Sequence, residues 1–214
     1  MTQHRTLPTP EEAAALLAEA EARNPGPWAD HSRNTALAAQ LIAERCDDMD
    51  AQAAHTLGLL HDIGRYYGVA AMRHVVDGYR HMMERGYDWP ARICLTHSFN
   101  LNDVECYTGA RDCSAEDLDF LRRTLQEIVY DDYDRLIQLC DALADAEGFC
   151  LIEKRYVDVA IRHGIHPLVP PKWKVARETL QYFNAKTGGS VYRLLPGVVE
   201  GTFGFVPQPV TRED

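Results

Sequence analysis

A chain of 214 residues, 46% hydrophobic and 25% charged, can bury one substantial core, and a single domain is the expected organisation. Its formal charge of −10 argues against broad nucleic-acid binding and against anionic membrane surfaces, since both select basic faces. No apolar run approaches the roughly 20 residues of a membrane span, and the N-terminus lacks the charged-then-apolar pattern of a secretory leader. The six cysteines (46, 94, 106, 113, 140 and 150) contain no C-x-x-C pair and read as reduced thiols, so the cytoplasm is the expected compartment.

In chain order the pattern is helical nearly throughout. Pro10-Glu11-Glu12 opens a first helix that runs to about Arg23, its early acids matching the positive end of the helix dipole. Asn24-Pro25-Gly26-Pro27 breaks it. Asp30 is a candidate cap for a second helix over residues 31–45, with Leu37, Leu41 and Ile42 on one face. Asp50 caps a third over 51–62, which Ile63-Gly64 ends, Gly64 offering a left-handed backbone. A fourth covers 71–85, and a short fifth runs from Asp88 to near His97. Residues 98–113 read as a loop. Ser114 caps a sixth helix reaching about Tyr130. A seventh spans 132–147 and holds Asp141, an eighth spans 151–163, and Pro170-Pro171 starts a last one that ends at Lys186. Residues 190–206 suggest a short hairpin or an extended tail. No internal repeat or long linker appears.

The dipeptide His61-Asp62 closes the apolar run Gly58-Leu59-Leu60, which sets two strong metal-binding groups beside a buried core. It has distant partners of the right kind in His31, His74, His97 and Asp141. Asp141 sits among Leu139, Cys140, Ala142 and Leu143, and a carboxylate in such company needs a strong partner. Imidazole plus carboxylate suits Mn, Fe or Zn better than Ca. A bound metal with open positions activates water and neutralises phosphoryl oxygens, so the set points to a metal-dependent hydrolase. The other histidines read as structural or surface groups: His4 in the tail, His55 on another helix face, and His163 and His166 around Gly164. Asp145, one turn after Asp141, is equally a candidate to orient a ligand and a plain helix-surface carboxylate.

The ordered set His31, His61-Asp62 and Asp141 resembles the H…HD…D signature of the HD superfamily of metal-dependent phosphohydrolases, over about residues 28–145. The resemblance implies an all-α, compact HD-domain bundle. It divides the chain into an N-terminal helix and linker (1–27), the HD core (28–145), and C-terminal helices with a short extended tail packed on that core (146–214), a single domain overall. It also implies a divalent transition metal, one or two per chain, with Fe and Mn foremost and Zn, Ni or Co as alternatives. Two-metal members add two histidines between the His-Asp pair and the last Asp. Here His97 fits one place, and His74, in His74-Val75-Val76-Asp77-Gly78, is favoured over His81 for the other, although Val75 departs from the common His-Gly.

A phosphohydrolase also needs cations for its substrate. Arg65, three residues after Asp62 where many relatives carry Lys, is the foremost candidate, and a guanidinium binds phosphate oxygens bidentately. Arg73 beside His74 is a weaker one, and Lys154, Arg155 and Lys172 offer a basic pocket wall. No P-loop, dinucleotide fingerprint or nucleophile elbow occurs. The expected chemistry is attack of metal-activated water on a phosphate ester of a nucleotide or small phosphorylated metabolite, with Asp62 suited to orient that water. The expected partner is that small substrate, and a homodimer is compatible with the sequence. Two other readings share the ligand set: a diiron oxygenase of the HD type, and a non-catalytic nucleotide sensor.

Overall fold

The computed structural model describes residues 5–206. Helix α1 (Pro10–Arg23) begins with a reciprocal cap. Thr9 accepts from the Glu12 N–H, the Glu12 carboxylate accepts from the Thr9 N–H, and Pro10 has no N–H to leave unpaired. Asp50, Ser114 and Asp131 likewise cap α3 (Ala51–Leu60), α6 (Ala115–Glu127) and α7 (Asp132–Leu143). Helix α2 (Trp28–Ala43) starts earlier than expected. Asp30 is not its cap but lies in its first turn, bonded to Arg33. Helices α4 (Arg73–Met83) and α5 (Asp88–Thr96) follow, then α8 (Ile152–His163), α9 (Val169–Lys186) and a short α10 (Val198–Phe203).

Packing of α2 against α3 explains one departure from the sequence reading. The buried face of α2 is Ala29, Ala36, Ala39, Ile42 and Ala43, while Leu37 is 36% exposed. The two helices approach so closely that a Cβ on Gly58 would lie 2.7 Å from the Ala36 Cα. Small residues therefore line this contact, and the leucines point away from it. Around it, Ile42, Leu57, Ile93, Leu136, Ile137 and Phe183 join α2, α3, α5, α7 and α9 in the main core. Ala13, Leu17 and Ala20 lay α1 against Leu60, Ile63 and Met82. Leu121 and Leu125 of α6 pack on Val75, Val76 and Phe99.

Four local expectations are corrected. Gly64 is not left-handed. It is needed because a Cβ there would fall 1.9 Å from the His74 carbonyl oxygen, so the turn Ile63–Tyr67 can press onto the start of α4. Helix α7 does not reach residue 147. It stops at Leu143, and Ala144–Asp145 pairs antiparallel with Gly148–Phe149 in a small hairpin, where Gly148 has φ +136. Residues 190–206 are not extended either. Val191–Leu194 forms a 3-10 turn before α10, because Val191 and Leu195 have apolar cover in the main core; the end of the expected tail lies outside the described residues. Finally, the acidic run Asp131-Asp132-Tyr133-Asp134, which by sequence reads as a helix N-terminal surface, is not all exposed. Asp134 is fully buried, bonded by Arg92 and by the Thr96 hydroxyl.

Among the described residues no helix is long and apolar enough to cross a membrane. All six cysteines are free, and five of them are buried.

Candidate metal centre

Five helices deliver the chemistry-bearing side chains to one place. The first turn of α2 supplies His31, the end of α3 supplies His61 and Asp62, and the first turn of α4 supplies His74. His97 follows the last residue of α5, and Asp141 lies in the last turn of α7. The close approach at Gly64 is what brings Asp62 beside His74.

Backbone carbonyls fix three of the imidazoles. His61 Nδ1 donates to the Gly58 carbonyl at 2.7 Å, His74 Nδ1 to the Ala71 carbonyl, and His97 Nδ1 to the Ile93 carbonyl at 3.2 Å. A carbonyl only accepts, so each Nδ1 carries the proton and each Nε2 presents a lone pair. Those lone pairs converge. His74 Nε2 lies 3.2 Å from His97 Nε2, and the two stand 3.0 and 3.5 Å from Asp62 Oδ1. His61 Nε2 is buried with no hydrogen-bond partner among the described residues. His31 Nε2 meets Asp141 Oδ1 at 3.0 Å.

Charge is tuned to match. Burial pushes the His61 imidazole down to about 4, so it is neutral at pH 7. Burial alone would raise Asp62, but Arg65, His74 and His61 outweigh it and hold the carboxyl well below its usual range. Asp141 is held low in the same way, by the His31 hydrogen bond and the surrounding histidines against its burial.

This donor set fits a divalent ion. At His74, His97 and Asp62 Oδ1, acceptors face one another across van der Waals distances with no proton between them, and a cation removes that repulsion. Among the described residues two groups have donor atoms all within 4.8 Å of one another: His31, His61 and Asp62, and Asp62, His74 and His97. Asp62 belongs to both. Carbonyl-anchored histidines are also the usual outer support of a metal site.

The HD-domain family model matches residues 28–146, more than half of the chain. The chain belongs to the HD-domain family. HD domains bind divalent metals, and the family consists mostly of metal-dependent hydrolases. No curated protein and no solved structure matches this chain.

Beside the HD cluster is a cavity of about 260 Å³ whose lining includes Arg65, Arg155 and Arg162. A second lobe of about 140 Å³ runs beneath α8 and α9, and His97, Tyr107, Asp141 and Arg155 line both. Arg65 does not float free there. Its Nε holds Asp62 Oδ2 at 2.6 Å, leaving Oδ1 to the histidines. Arg155 and Lys172 reach the cavity, but two other sequence candidates do not. Arg73 pairs with Asp77, and Lys154 with Asp158. His81 also lies elsewhere, its Nδ1 3.2 Å from the Tyr67 hydroxyl, while His74 is in the cluster. Asp145 faces Arg155 at 3.8 Å and touches none of the cluster histidines.

Several lining residues were not singled out from sequence. Gln138 lies three residues before Asp141 on α7, and Arg162 seven after Arg155 on α8. Both offsets put a residue on its neighbour's helix face, so periodicity held a usable signal. Trp28, Asn100 and Tyr107 come from a helix start and a loop, where no period helps.

Proposed function

We propose that this HD protein is a metal-dependent phosphohydrolase acting on a phosphate ester of a nucleotide or small phosphorylated metabolite. The observation that carries the reading is the buried Nε2 of His61, unpartnered among the described residues, amid converging histidines and carboxylates in a cavity lined by three arginines. His31, His61, Asp62 and Asp141 would hold one ion, and Asp62, His74 and His97 a second, Fe or Mn foremost. A divalent ion there supplies Lewis acidity, lowering the pKa of water and screening phosphoryl oxygens.

The chain's own groups do the rest. Arg65 keeps Asp62 ionised and turned toward the histidines. Its remaining N–H groups, with those of Arg155 and Arg162, suit phosphate oxygens. Burial lifts the Tyr107 phenol far above its usual range, so it stays protonated and serves as a donor to substrate. The free thiols agree with a cytoplasmic setting for this chemistry.

Metal analysis of freshly purified protein, followed by a phosphate-release screen with Mn, Fe, Zn, Ni and Co, tests the proposal. Metal-dependent release from at least one nucleotide or small ester is the expected result. Oxygen uptake without phosphate release would replace the reading with an oxygenase, and binding without turnover would replace it with a sensor.

A further inference from the structure

The chain has four lysines. Three lie beside carboxylates: Lys154 on Asp158, Lys174 by Glu178, and Lys186 on Asp48 and Asp132. Lys172 has no such partner among the described residues. Its Nζ donates to the Ser98 carbonyl at 3.1 Å and lines the smaller lobe. An ammonium carries three N–H groups, so two remain for whatever enters. Enclosure is deep enough that burial pulls its pKa down, against the opposing fields of Cys106 and Asp141. A cation in such a place is costly unless a counter-charge arrives.

With metal bound, the cluster would not provide that counter-charge. Asp62 and Asp141 are its carboxylates, and divalent ions there would more than neutralise them. The walls of the lobe are otherwise built for a polar guest against an apolar backing. Gln138 and Asn100 are buried on one side, with Gln138 Nε2 fixed on the Thr96 carbonyl at 3.0 Å and the Asn100 amide making no hydrogen bond to described residues. Tyr156 and Trp173 form the backing, stacked with ring centroids 6.0 Å apart. The lobe opens onto the cluster along His97 and Asp141.

We propose that this lobe receives a second anionic group of the substrate, a carboxylate or a phosphate carried on the alcohol part of the ester, with Lys172 as its counter-ion. The inference rests on reading the larger lobe as the seat of the scissile phosphate. It narrows the substrate class to small esters with two anionic ends.

Calorimetric binding to Mn-loaded protein tests it without turnover, using ω-phosphonocarboxylates, alkane bisphosphonates and alkylphosphonates of matched length. Wild type should bind at least one doubly anionic probe about 10–100-fold more tightly than its singly anionic match, the range for a charge-assisted contact. The carboxylate and bisphosphonate arms tell which anion the lobe takes. Lys172→Met should remove the preference, and Lys172→Arg should keep part of it. Equal binding of the matched probes by wild type, binding of none of them, or a preference that survives in Lys172→Met would overturn the proposal. The wild-type comparison decides even if the variant fails to fold. If the preference holds while no ester is hydrolysed in the phosphate-release screen, the hydrolase reading fails and the anion subsite stands.

Discussion

Asp134 and Asp141 stand seven residues apart on α7, two turns along nearly one face, and they have opposite surroundings. Asp134 is wholly buried and hydrogen-bonded at both oxygens, although burial still raises its pKa. Arg92 donates to both of its oxygens, Thr96 donates its hydroxyl at 2.8 Å, and the Asp131 N–H adds a third donor. Asp141 has a side chain 28% exposed and one contact of this kind, His31 Nε2. Its other neighbours are histidines whose free nitrogens accept rather than donate. The first carboxylate is balanced by the chain itself and ties α5 to α7. The second, together with the Asp62 Oδ1 that Arg65 leaves free, faces histidine nitrogens and suits a divalent cation. Burial of an acid is therefore no mark of function; a carboxylate oxygen turned toward histidine acceptors is.

The sharpest break in that comparison comes from the cluster. His61→Ala or Asp62→Ala should lose most bound metal and more than about 100-fold in turnover while the fold survives, beyond the 10–100-fold typical of changes outside the ligand set. Full metal content with full turnover in either variant would place the cluster with structural sites like that of Asp134.

Stability should separate the two aspartates next. Arg92→Met leaves Asp134 buried without its cation and should cost about 3–5 kcal/mol in urea unfolding. Asp141→Asn in metal-free protein should cost less than that, since Asp141 is partly exposed and loses only its pairing with His31 and the histidine field. Equal losses for the two would erase the distinction.

Acid should then weaken the metal-free protein in a defined window. His61 and His81 have folded pKa values of about 4, against about 6.5 when unfolded. The unfolded chain binds more protons between those values, so the stability they contribute is complete above pH 6.5 and is lost as pH falls toward 4. The loss is up to about 3 kcal/mol for His61 and less for His81. Urea midpoints that do not change from pH 7 to pH 5 would contradict this.

Arg65 should give the smallest effect. Arg65→Ala is expected to lower kcat/KM about 10–100-fold, or 1.5–3 kcal/mol, on a confirmed phosphate substrate, and Arg65→Lys to restore part of it. Unchanged kcat/KM in Arg65→Ala would leave it only as a brace for Asp62.

What the sequence disclosed follows the same physics. Helix starts were legible at Pro10, Asp50 and Ser114 because capping and first-turn preferences are local interactions, though the Thr9 cap itself was not singled out. The six cluster residues were legible because few structural roles require His and Asp in that order on separate helices. The hairpin after Leu143 and the helical tail were not, since each depends on apolar cover from distant residues such as Phe183. The Arg92–Asp134 pair was hidden for a similar reason: the two are 42 positions apart and neither has a local signature. Arg73 and Lys154 drew attention as cations near the right segments, but each has an acid one helical turn away to occupy it.

The central claim is that the histidine–aspartate cluster exists to hold a divalent ion, and thermal unfolding of metal-free protein titrated with Mn²⁺ tests it most directly. Binding to the folded state alone stabilises by about 2.7 kcal/mol at a hundredfold excess over Kd, so Tm should climb with metal in wild type and stay flat in His61→Ala. A wild-type Tm indifferent to Mn²⁺, Fe²⁺ and Zn²⁺, or one that rises equally in His61→Ala, would contradict the account.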